Sequence, residues 1–409
     1  MSEHAAPDRL EVERARTLIE LGRFDEAVAS LHRHLGRDPE NGRGWCLLAQ
    51  AHLGRQDARS ALEAADRAVA AAPESDWAHR LRSIALGVQG DHEGAIAAAL
   101  EAIKLAPGEW QGHACLARLF TQVKSRRREA IPVAEQAVAL APHESDAHLT
   151  LGIAAAANGK HKEADEAFRA ALSLDPQNSE AHNELARLEL SKSRFGVARL
   201  ADAAGGFQAA VQTDPQASVS RLNLELVLRV FLARLAYCIL IGGWFYVRVP
   251  ASSFGGNRHL SLLILLILSV PTVYAWRFVS RLSLDLRQHL RYTLTHGRIA
   301  PVSAIQFSAI LLLLYTAVAA PANHTTAVVA FCLTLVARLL LINEIYKITG
   351  RKLISTSVLW LIAAGFALFA VLFALGAAES GFGRGGAVVA LVSGALCLAM
   401  VYMIRRRRA

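Results

Sequence analysis

Residues 145–178 read SDAHLTLGIAAAANGKHKEADEAFRAALSLDPQN, and the first half of the chain is built from related copies of this stretch. Small residues let two helices pack closely, a glycine adopts the positive φ of a tight turn at little cost, and a proline ends a helix. The stretch therefore predicts two short helices joined by a tight turn. The residues that mark its places are Gly152 (eight), Gly159 (fifteen), Ala164 (twenty), Phe168 (twenty-four), Ala171 (twenty-seven) and Pro176 (thirty-two).

The same 34-residue frame fits five more segments, with small residues and a closing proline at matching places. They are residues 8–41 (with Arg14 where leucine is usual), 42–75, 76–109, 110–144 (one extra residue near 124–128) and 179–217 (about five extra residues around 191–200). Six such units resemble the tetratricopeptide repeat, a helix–turn–helix. The resemblance covers residues 8–217 and implies an all-α solenoid, in which each unit buries its apolar face against its neighbours.

The charge of the chain is unevenly distributed. The net charge is +9, and 53% of the residues are apolar, which is high for a water-soluble protein. Residues 225–409 hold 18 Lys and Arg against 4 Asp and Glu, so residues 1–224 hold the remaining 26 and 31. A mildly acidic repeat half argues against nucleic acid as a partner, because binding to the phosphate backbone needs positive charge.

The cysteines and the first residues of the chain indicate the cellular compartment in which the protein folds. Five cysteines stand far apart without a CxxC spacing, which is typical of small buried side chains in a reducing compartment. The first residues, MSEHAAPDRLEVERA, have no apolar core, so we expect no signal peptide and a loose tail over residues 1–7. Abundant Ala and Arg with little Lys favour a bacterial source.

The second half of the chain, residues 229–409, contains apolar stretches of about the ~20 residues with which a helix crosses a bilayer. We expect residues 218–228 to form a capping or linking helix that leads into the first stretch. The sequence therefore predicts a bundle of about six transmembrane helices after the solenoid. The stretches cover residues 230–248, 259–277, 301–320, 325–345, 355–376 and 386–404.

Basic residues alternate between the connections of these stretches. The links at 249–258, 321–324 and 377–385 carry little charge, whereas those at 278–300 and 346–354 and the end of the chain are rich in Arg and Lys. The positive-inside rule then places the repeats and the C-terminus in the cytoplasm, in a multi-pass protein of the bacterial inner membrane. Whether the first stretch crosses completely is open, because Arg229 and Arg234 lie at its start.

The basic link at 278–300 has a leucine at every fourth residue, namely Leu282, Leu286, Leu290 and Leu294. This pattern fits an amphipathic helix lying on the inner leaflet of the membrane. It equally fits a cytoplasmic extension of the second membrane span.

A partner-binding groove is implied by the resemblance, because in this family the inner face of each unit's first helix binds peptides. Arginines at several of these places could hold an acidic segment through bidentate hydrogen bonds, or they could be a solvated face. The Lys/Asn arrangement with which some family members clamp a C-terminal carboxylate is not reproduced. The candidate groove residues are Arg43, Gln50, Arg80, Gln111, Arg118, Gln122, Asn183 and Arg187.

Four histidines stand at place four of consecutive units: His79, His113, His148 and His182. A metal ladder is one reading, but packed helix axes lie about 8–10 Å apart and bonds from zinc to nitrogen are only about 2.0–2.1 Å long. We therefore expect these side chains to pack between helices, at the place often held by Trp, and we expect no metal or other cofactor.

Two functions fit the sequence. The first is a non-enzymatic, membrane-anchored scaffold whose cytoplasmic groove binds a protein or an acidic peptide, while the membrane block contacts lipid and other membrane proteins. The second places the activity in the six-span block, as a transporter subunit or intramembrane enzyme regulated by the repeats. Transporters and intramembrane enzymes usually need ionisable groups inside the membrane, and most of these stretches have almost none. No sequence motif of a known catalytic site was found, which favours the scaffold.

Overall fold

The computed structural model describes residues 5–192, 196–214, 218–248 and 258–295, together with Ser303 and Thr334. The chain divides into two compact units, residues 1–188 with 209–217, and residues 189–208 with 218–409. The described residues outside turns and connections are helical. Over this part of the chain no helix combines the length and the apolar character needed to cross a membrane. The predicted stretches from residue 301 onward lie outside the described residues, apart from Ser303 and Thr334.

Each of the six repeat units contains two helices. The first five units contain the pairs α1 (Ala5–Glu20) with α2 (Phe24–Leu35), α3 (Gly42–Gly54) with α4 (Ala58–Ala71), α5 (Asp76–Gln89) with α6 (His92–Leu105), α7 (Trp110–Gln122) with α8 (Ala130–Leu140), and α9 (Ser145–Ala157) with α10 (His161–Leu174). The sixth unit contains α11 (Ser179–Lys192) and α12 (Val197–Thr213). The all-α repeat architecture predicted for this half is confirmed. α1 begins at Ala5, inside the segment expected to be a loose tail.

Short polar side chains start many of these helices. Asn41 and Asn178 accept hydrogen bonds from the backbone N–H groups of Gly44 and Ala181, both at 2.9 Å. Asp91 does the same for α6. Each bond satisfies one of the N–H groups that a helix leaves free at its start, which stabilises the helix by about 1 kcal/mol.

Glycine forms the turn inside several units. Gly22, Gly90 and Gly159, all at place fifteen, have φ of 70°, 88° and 76°. The second unit reaches the same backbone with Gln56 at φ 62°. The tight turn is therefore confirmed in the first, second, third and fifth units, and the second unit makes it without glycine.

The core of the array is built from small residues packed against larger ones. Phe168 is fully buried, and a Cβ added to Gly152 would lie 2.4 Å from its ring. Glycine at place eight is thus required by the close approach of α9 and α10. Leu31 and Leu48 lie in a buried cluster of the first three units, and Leu149 and Phe168 in one of the fifth and sixth.

The extra residue of the fourth unit is absorbed by a short 3-10 turn, Arg127–Glu129. The guanidinium of Arg126 lies 4.1 Å from the centre of the Phe120 ring, and the Asn158 amide donates to the Arg127 carbonyl at 2.7 Å. These contacts let α7 and α8 keep their pairing despite the insertion.

Beyond the repeats lie α13 (Ser218–Arg248), α14 (Arg258–Arg281) and α15 (Leu284–Thr295). The expected linking segment and the first apolar stretch form one continuous helix, α13, of 31 residues. Phe231 of α13 stacks on Phe278 of α14, with ring centres 4.1 Å apart.

The leucine repeat at 278–300 lies mainly on a separate helix, α15. α14 ends at Arg281, so the second stretch does not continue as one helix. Ser283 Oγ accepts from the Leu286 N–H at 3.2 Å and starts α15, and Arg287 donates to the Val279 and Ser280 carbonyls, both at 2.9 Å, which closes α14. Three of the four repeated leucines, Leu282, Leu286 and Leu290, are buried, and the position of this helix relative to a membrane stays a prediction.

Candidate partner-binding groove

Six of the eight predicted groove residues line two separate cavities on the first helices of the units. Arg43 and Gln50 line a cavity of about 660 Å³, together with Arg16, Cys46 and Trp77 from α1, α3 and α5. We call it the amino-terminal cavity. Its deeper wall consists of side chains already packed in the core, because Cys46 is almost fully buried.

The second group lines a cavity of about 430 Å³ among α5, α7, α9 and α11, which we call the central cavity. Helices of four consecutive units contribute to it, because side chains at the same places point to the same side of the array. It brings together four predicted residues, namely Arg80, Gln111, Arg118 and Gln122.

The two remaining candidates do not line either of these cavities. Asn183 is buried, with only 6% of its surface exposed, and its amide donates to Glu184 at 3.3 Å. Arg187 is exposed and donates to both carboxylate oxygens of Glu184, at 2.8 and 3.0 Å. The central cavity therefore reaches α11 through Glu180.

Each predicted arginine is ion-paired within the chain, so the array does not present a strip of uncompensated positive charge. The pairs are Arg43 with Glu13 (2.8 Å), Arg80 with Asp76 (3.0 Å), Arg118 with Glu180 (2.9 Å) and Arg187 with Glu184 (2.8 Å). An acidic ligand has to exchange with one of these carboxylates instead of finding a free cation.

The pair of Arg118 and Glu180 has the geometry of a bidentate arginine–carboxylate contact. Nη1 donates to Oε1 at 2.9 Å and Nη2 donates to Oε2 at 3.0 Å, between α7 and α11. Burial alone would lower the pKa of Arg118, but the charge and hydrogen bonds of Glu180, with Asp146 and Glu184 nearby, raise it above its ordinary value. Arg118 therefore carries its charge throughout the physiological range.

Three features of the central cavity were missed at the sequence level. Ile84 and Val88 line it with 41% and 64% of their surface exposed, which is unusual for aliphatic residues on an interior helix face. The side-chain oxygen of Gln111 is shielded from solvent and has no donor among the described residues. The repeat frame could have identified the aliphatic pair, because Ile84 and Val88 stand at places nine and thirteen of the third unit, which belong to the inner face.

The chemistry of the cavity is that of recognition by hydrogen bonds, ion pairs and apolar contact. Cys115 lines it, and its thiol lies 3.4 Å from Ser83 Oγ. Burial raises the pKa of the Cys115 thiol, and it raises that of Cys46 in the amino-terminal cavity to about 12. Both thiols stay protonated at neutral pH and are weak nucleophiles.

Three of the four histidines at place four are held by a hydrogen bond to the connection that precedes their helix, while the packing between helices predicted for them stays a prediction. His79, His148 and His182 each donate from Nε2 to the carbonyl of the proline six residues earlier, at 3.0, 2.9 and 2.9 Å. Trp45 at the same place donates to the Pro39 carbonyl at 2.7 Å. Within the described ranges, no three His, Cys, Asp or Glu residues are placed to hold a metal ion.

The family assignment rests on a direct match. A family model described as the tetratricopeptide repeat matches residues 12–76, 46–109, 123–179 and 149–218. Residues 12–218 belong to the tetratricopeptide-repeat family. Tetratricopeptide repeats are scaffolds for protein interactions, which is the role the central cavity suits. A comparison with curated proteins gave no match.

Solved tetratricopeptide-repeat structures are similar to this chain at low identity. MamA of Desulfovibrio magneticus is 22% identical over 43% of this chain and 97% of its own, with a TM-score of 0.32. The pilF protein of Pseudomonas aeruginosa is 17% identical over 53% and 95%, with a TM-score of 0.39. A protein of Thermus thermophilus is 21% identical over 54% and 98%, with a TM-score of 0.34. Likenesses at this level concern the fold alone.

Proposed function

We propose that this protein is a membrane-anchored scaffold whose central cavity binds an acidic, extended segment of a partner protein. The observation that carries the proposal is the composition of that cavity. It combines exposed aliphatic side chains, an unsatisfied amide oxygen and two arginines in one concave surface. A partner segment supplies the complement of each: an aliphatic side chain, a backbone N–H and a carboxylate.

The aliphatic contact supplies most of the affinity in this arrangement. Covering an exposed Ile or Val side chain completely stabilises a complex by about 1.5–3 kcal/mol, and Ile84 and Val88 offer part of that surface. The arginines contribute mainly specificity, because a carboxylate of the partner replaces an intrachain carboxylate and the number of ion pairs stays the same.

The test is to reverse the two cavity arginines, Arg80→Glu and Arg118→Glu, in the full-length protein and to purify it from native membranes with its bound proteins. We expect the partner to be lost and the melting temperature to change little, because neither side chain is part of the apolar core. The matched control reverses Arg59 and Arg169, which are exposed and paired with Glu63 and Asp165 on second helices. Undiminished recovery of the partner with the folded cavity variant would remove the central cavity from the proposal, and equal loss with the control variant would reduce the effect to overall charge.

Two further observations test the acidic character of the partner, namely the dependence of its recovery on ionic strength and the charge of its binding segment. Ion pairs at a half-exposed site are screened by salt, so recovery of an acidic partner should fall as ionic strength rises. A recovered protein whose binding segment is basic would contradict the acidic part of the proposal and keep the cavity.

The proposed membrane anchor is supported by the sequence of residues 229–409 and by the surface of α14. Val270, Val273 and Trp276, three residues apart, are exposed with 54%, 47% and 68% of their surface accessible. Such a strip is unfavourable in water and suits contact with lipid. Arg277 and Arg281 follow at the end of the helix, where basic residues mark the cytoplasmic side.

Topology can be tested with single cysteines in a cysteine-free background. Cysteines at Ser252, Asn323 and Ser380 should react with a membrane-impermeant thiol reagent in intact cells, whereas a cysteine at Thr295 should react only after the cells are opened. Labelling at Thr295 from outside would contradict a cytoplasmic α15 and the proposed orientation.

A further inference from the structure

We infer that Glu180 is an internal ligand of the central cavity, which occupies on Arg118 the position that the carboxylate of the partner takes on binding. The inference rests on the proposed function and adds a named binding position with a competitor built into the chain. It begins from the bidentate contact, in which both oxygens of Glu180 accept from the two terminal nitrogens of Arg118. An external Asp or Glu side chain can make the same contact.

The contact is unlike the other ion pairs of the cavity and its surroundings. Arg80 pairs with Asp76 four residues away, and Arg187 pairs with Glu184 three residues away, so both join neighbours on one helix. Arg118 and Glu180 are 62 residues apart and join the first helices of the fourth and sixth units. This pair therefore bridges α7 and α11 at the central cavity, which Asp146 and Thr150 of α9 also line.

The pair is accessible enough to exchange. The side chains of Arg118 and Glu180 are 38% and 48% exposed, and a solvent-exposed ion pair adds little net stability. Glu180 can therefore leave Arg118 without unfolding α11, and water can solvate it afterwards. Without the Glu180 carboxylate, a carboxylate of the partner binds Arg118 without having to displace an existing ion pair, so its binding is tighter.

Two carboxylates lie in the cavity with Arg118, and they have different partners. Asp146 and Glu180 both line the cavity with it, and Asp146 already accepts a hydrogen bond from Asn178 at 3.0 Å. Glu180 is the carboxylate whose hydrogen bonds go to Arg118. Removing its charge consequently leaves Arg118 ready for an external ligand.

The experiment measures peptide binding to the full-length protein and to Glu180→Gln by fluorescence anisotropy. The probe is a labelled twelve-residue peptide of alternating Leu and Asp, compared with the same peptide carrying Asn or Lys in place of Asp. We expect Glu180→Gln to bind the Asp peptide at least fivefold more tightly than the wild type, with no such gain for the Asn peptide. Adding Arg118→Gln to Glu180→Gln should cancel the gain.

The control is Glu163→Gln, which makes the same change of charge at an exposed residue of α10 paired with Lys160. It should bind the Asp peptide as the wild type does, and circular dichroism should show all variants folded. A gain in Glu163→Gln equal to that in Glu180→Gln would reduce the effect to overall charge and overturn the inference.

The failures of the two proposals are distinguishable. Equal binding of the Asp peptide by wild type and Glu180→Gln leaves the acidic-partner function standing and overturns the role of Glu180. Preference for the Lys peptide, lost in Glu180→Gln, makes Glu180 a ligand-contacting residue and overturns it as well. Binding of the Asp peptide that is unchanged by Arg118→Gln moves the carboxylate position elsewhere. No binding of the Asp peptide by any variant overturns both proposals.

Discussion

The fifth unit and the second unit build the same helix pair from different residues. In the fifth unit, place eight is Gly152 and place twenty-four is Phe168, with the ring filling the space that the glycine leaves. In the second unit the same two places hold Ala49 and Ala65, both fully buried. The comparison shows that the side chains at places eight and twenty-four share one space between the two helices. Either a glycine and a phenyl ring or two alanine methyl groups can fill it.

The two units also differ in the turn and at place eleven. The turn of the fifth unit uses Gly159 at φ 76°, whereas that of the second uses Gln56 at φ 62°. Place eleven holds Ala155 in the fifth unit and His52 in the second, and both are buried. The second unit thus reaches the same fold with a less favourable turn residue and a titratable group in its core.

The largest expected effect comes from removing the ring that fills the space shared by places eight and twenty-four. Phe168→Ala should destabilise the array by about 3–5 kcal/mol, because it removes a fully buried ring and leaves a cavity. Adding Gly152→Ala gives the fifth unit the residue pair of the second and should recover part of the loss. Chemical denaturation followed by circular dichroism measures both steps. A double variant that loses the sum of the two single losses would show that places eight and twenty-four do not share a volume.

Gly152→Ala alone is the next largest effect. Its Cβ would lie 2.4 Å from the Phe168 ring, so the helices must separate, at a cost of about 1–3 kcal/mol. The matched control is Gly108→Ala, where an added Cβ meets nothing within 4 Å. The thermal midpoint of the first variant should fall while that of the control stays within about a degree or rises slightly.

Exchanging the turn residues should give effects of opposite sign. Gly159→Ala places a side chain at φ 76° and should destabilise the fifth unit by about 1 kcal/mol. Gln56→Gly relieves the same strain in the second unit, but glycine also makes the unfolded chain more flexible, so the gain should be a few tenths of a kcal/mol. A loss of stability in Gln56→Gly would mean that the Gln56 side chain contributes contacts that outweigh its backbone conformation.

The smallest expected effect depends on pH and concerns His52 of the second unit. Burial lowers the pKa of His52 below 6.5, although Asp57 opposes the shift. The unfolded chain then binds a proton near pH 6.5 that the folded chain does not accept until lower pH, so stability falls as the pH drops below about 6.5. The loss from this residue should stay below about 1 kcal/mol.

The change in melting temperature between pH 7.5 and 6.0 measures the contribution of His52 to the pH dependence of stability. It should be smaller in His52→Gln than in the wild type, and unaltered in His143→Gln, because His143 is exposed. An identical pH response in all three proteins would place the acid sensitivity outside the second unit.

Periodicity was sufficient to predict the helix pairs, because each unit repeats the same local instructions. Within one short segment of chain, the 34-residue frame places Gly152 and Phe168 where the two helices pack together and a proline where the second helix ends. The same reasoning accounts for the common hydrogen bond of His79, His148 and His182. Their partner, a proline carbonyl six residues earlier, lies in the same repeat frame.

The candidate site was predicted only in part, because it depends on contacts between distant units. The sequence placed Arg80 and Arg118 on the inner face, and both line one cavity. It did not predict that Glu180, 62 residues from Arg118, neutralises that arginine. Nor did it find Ile84 and Val88, since an aliphatic residue on a helix is normally read as core, and only the packing of the neighbouring units shows that these two are exposed.

The hydrogen bonds made at place four have a consequence for the chemistry of the side chain that can stand there. A carbonyl oxygen can only accept, so Nε2 of His79, His148 and His182 must carry the hydrogen in the neutral ring. Nδ1 takes no part in this bond, and the indole N–H of Trp45 fills the same donor role at place four of the second unit. A side chain at this place therefore has to supply a ring N–H, which an indole always carries and an imidazole carries at Nε2 in one of its two neutral tautomers.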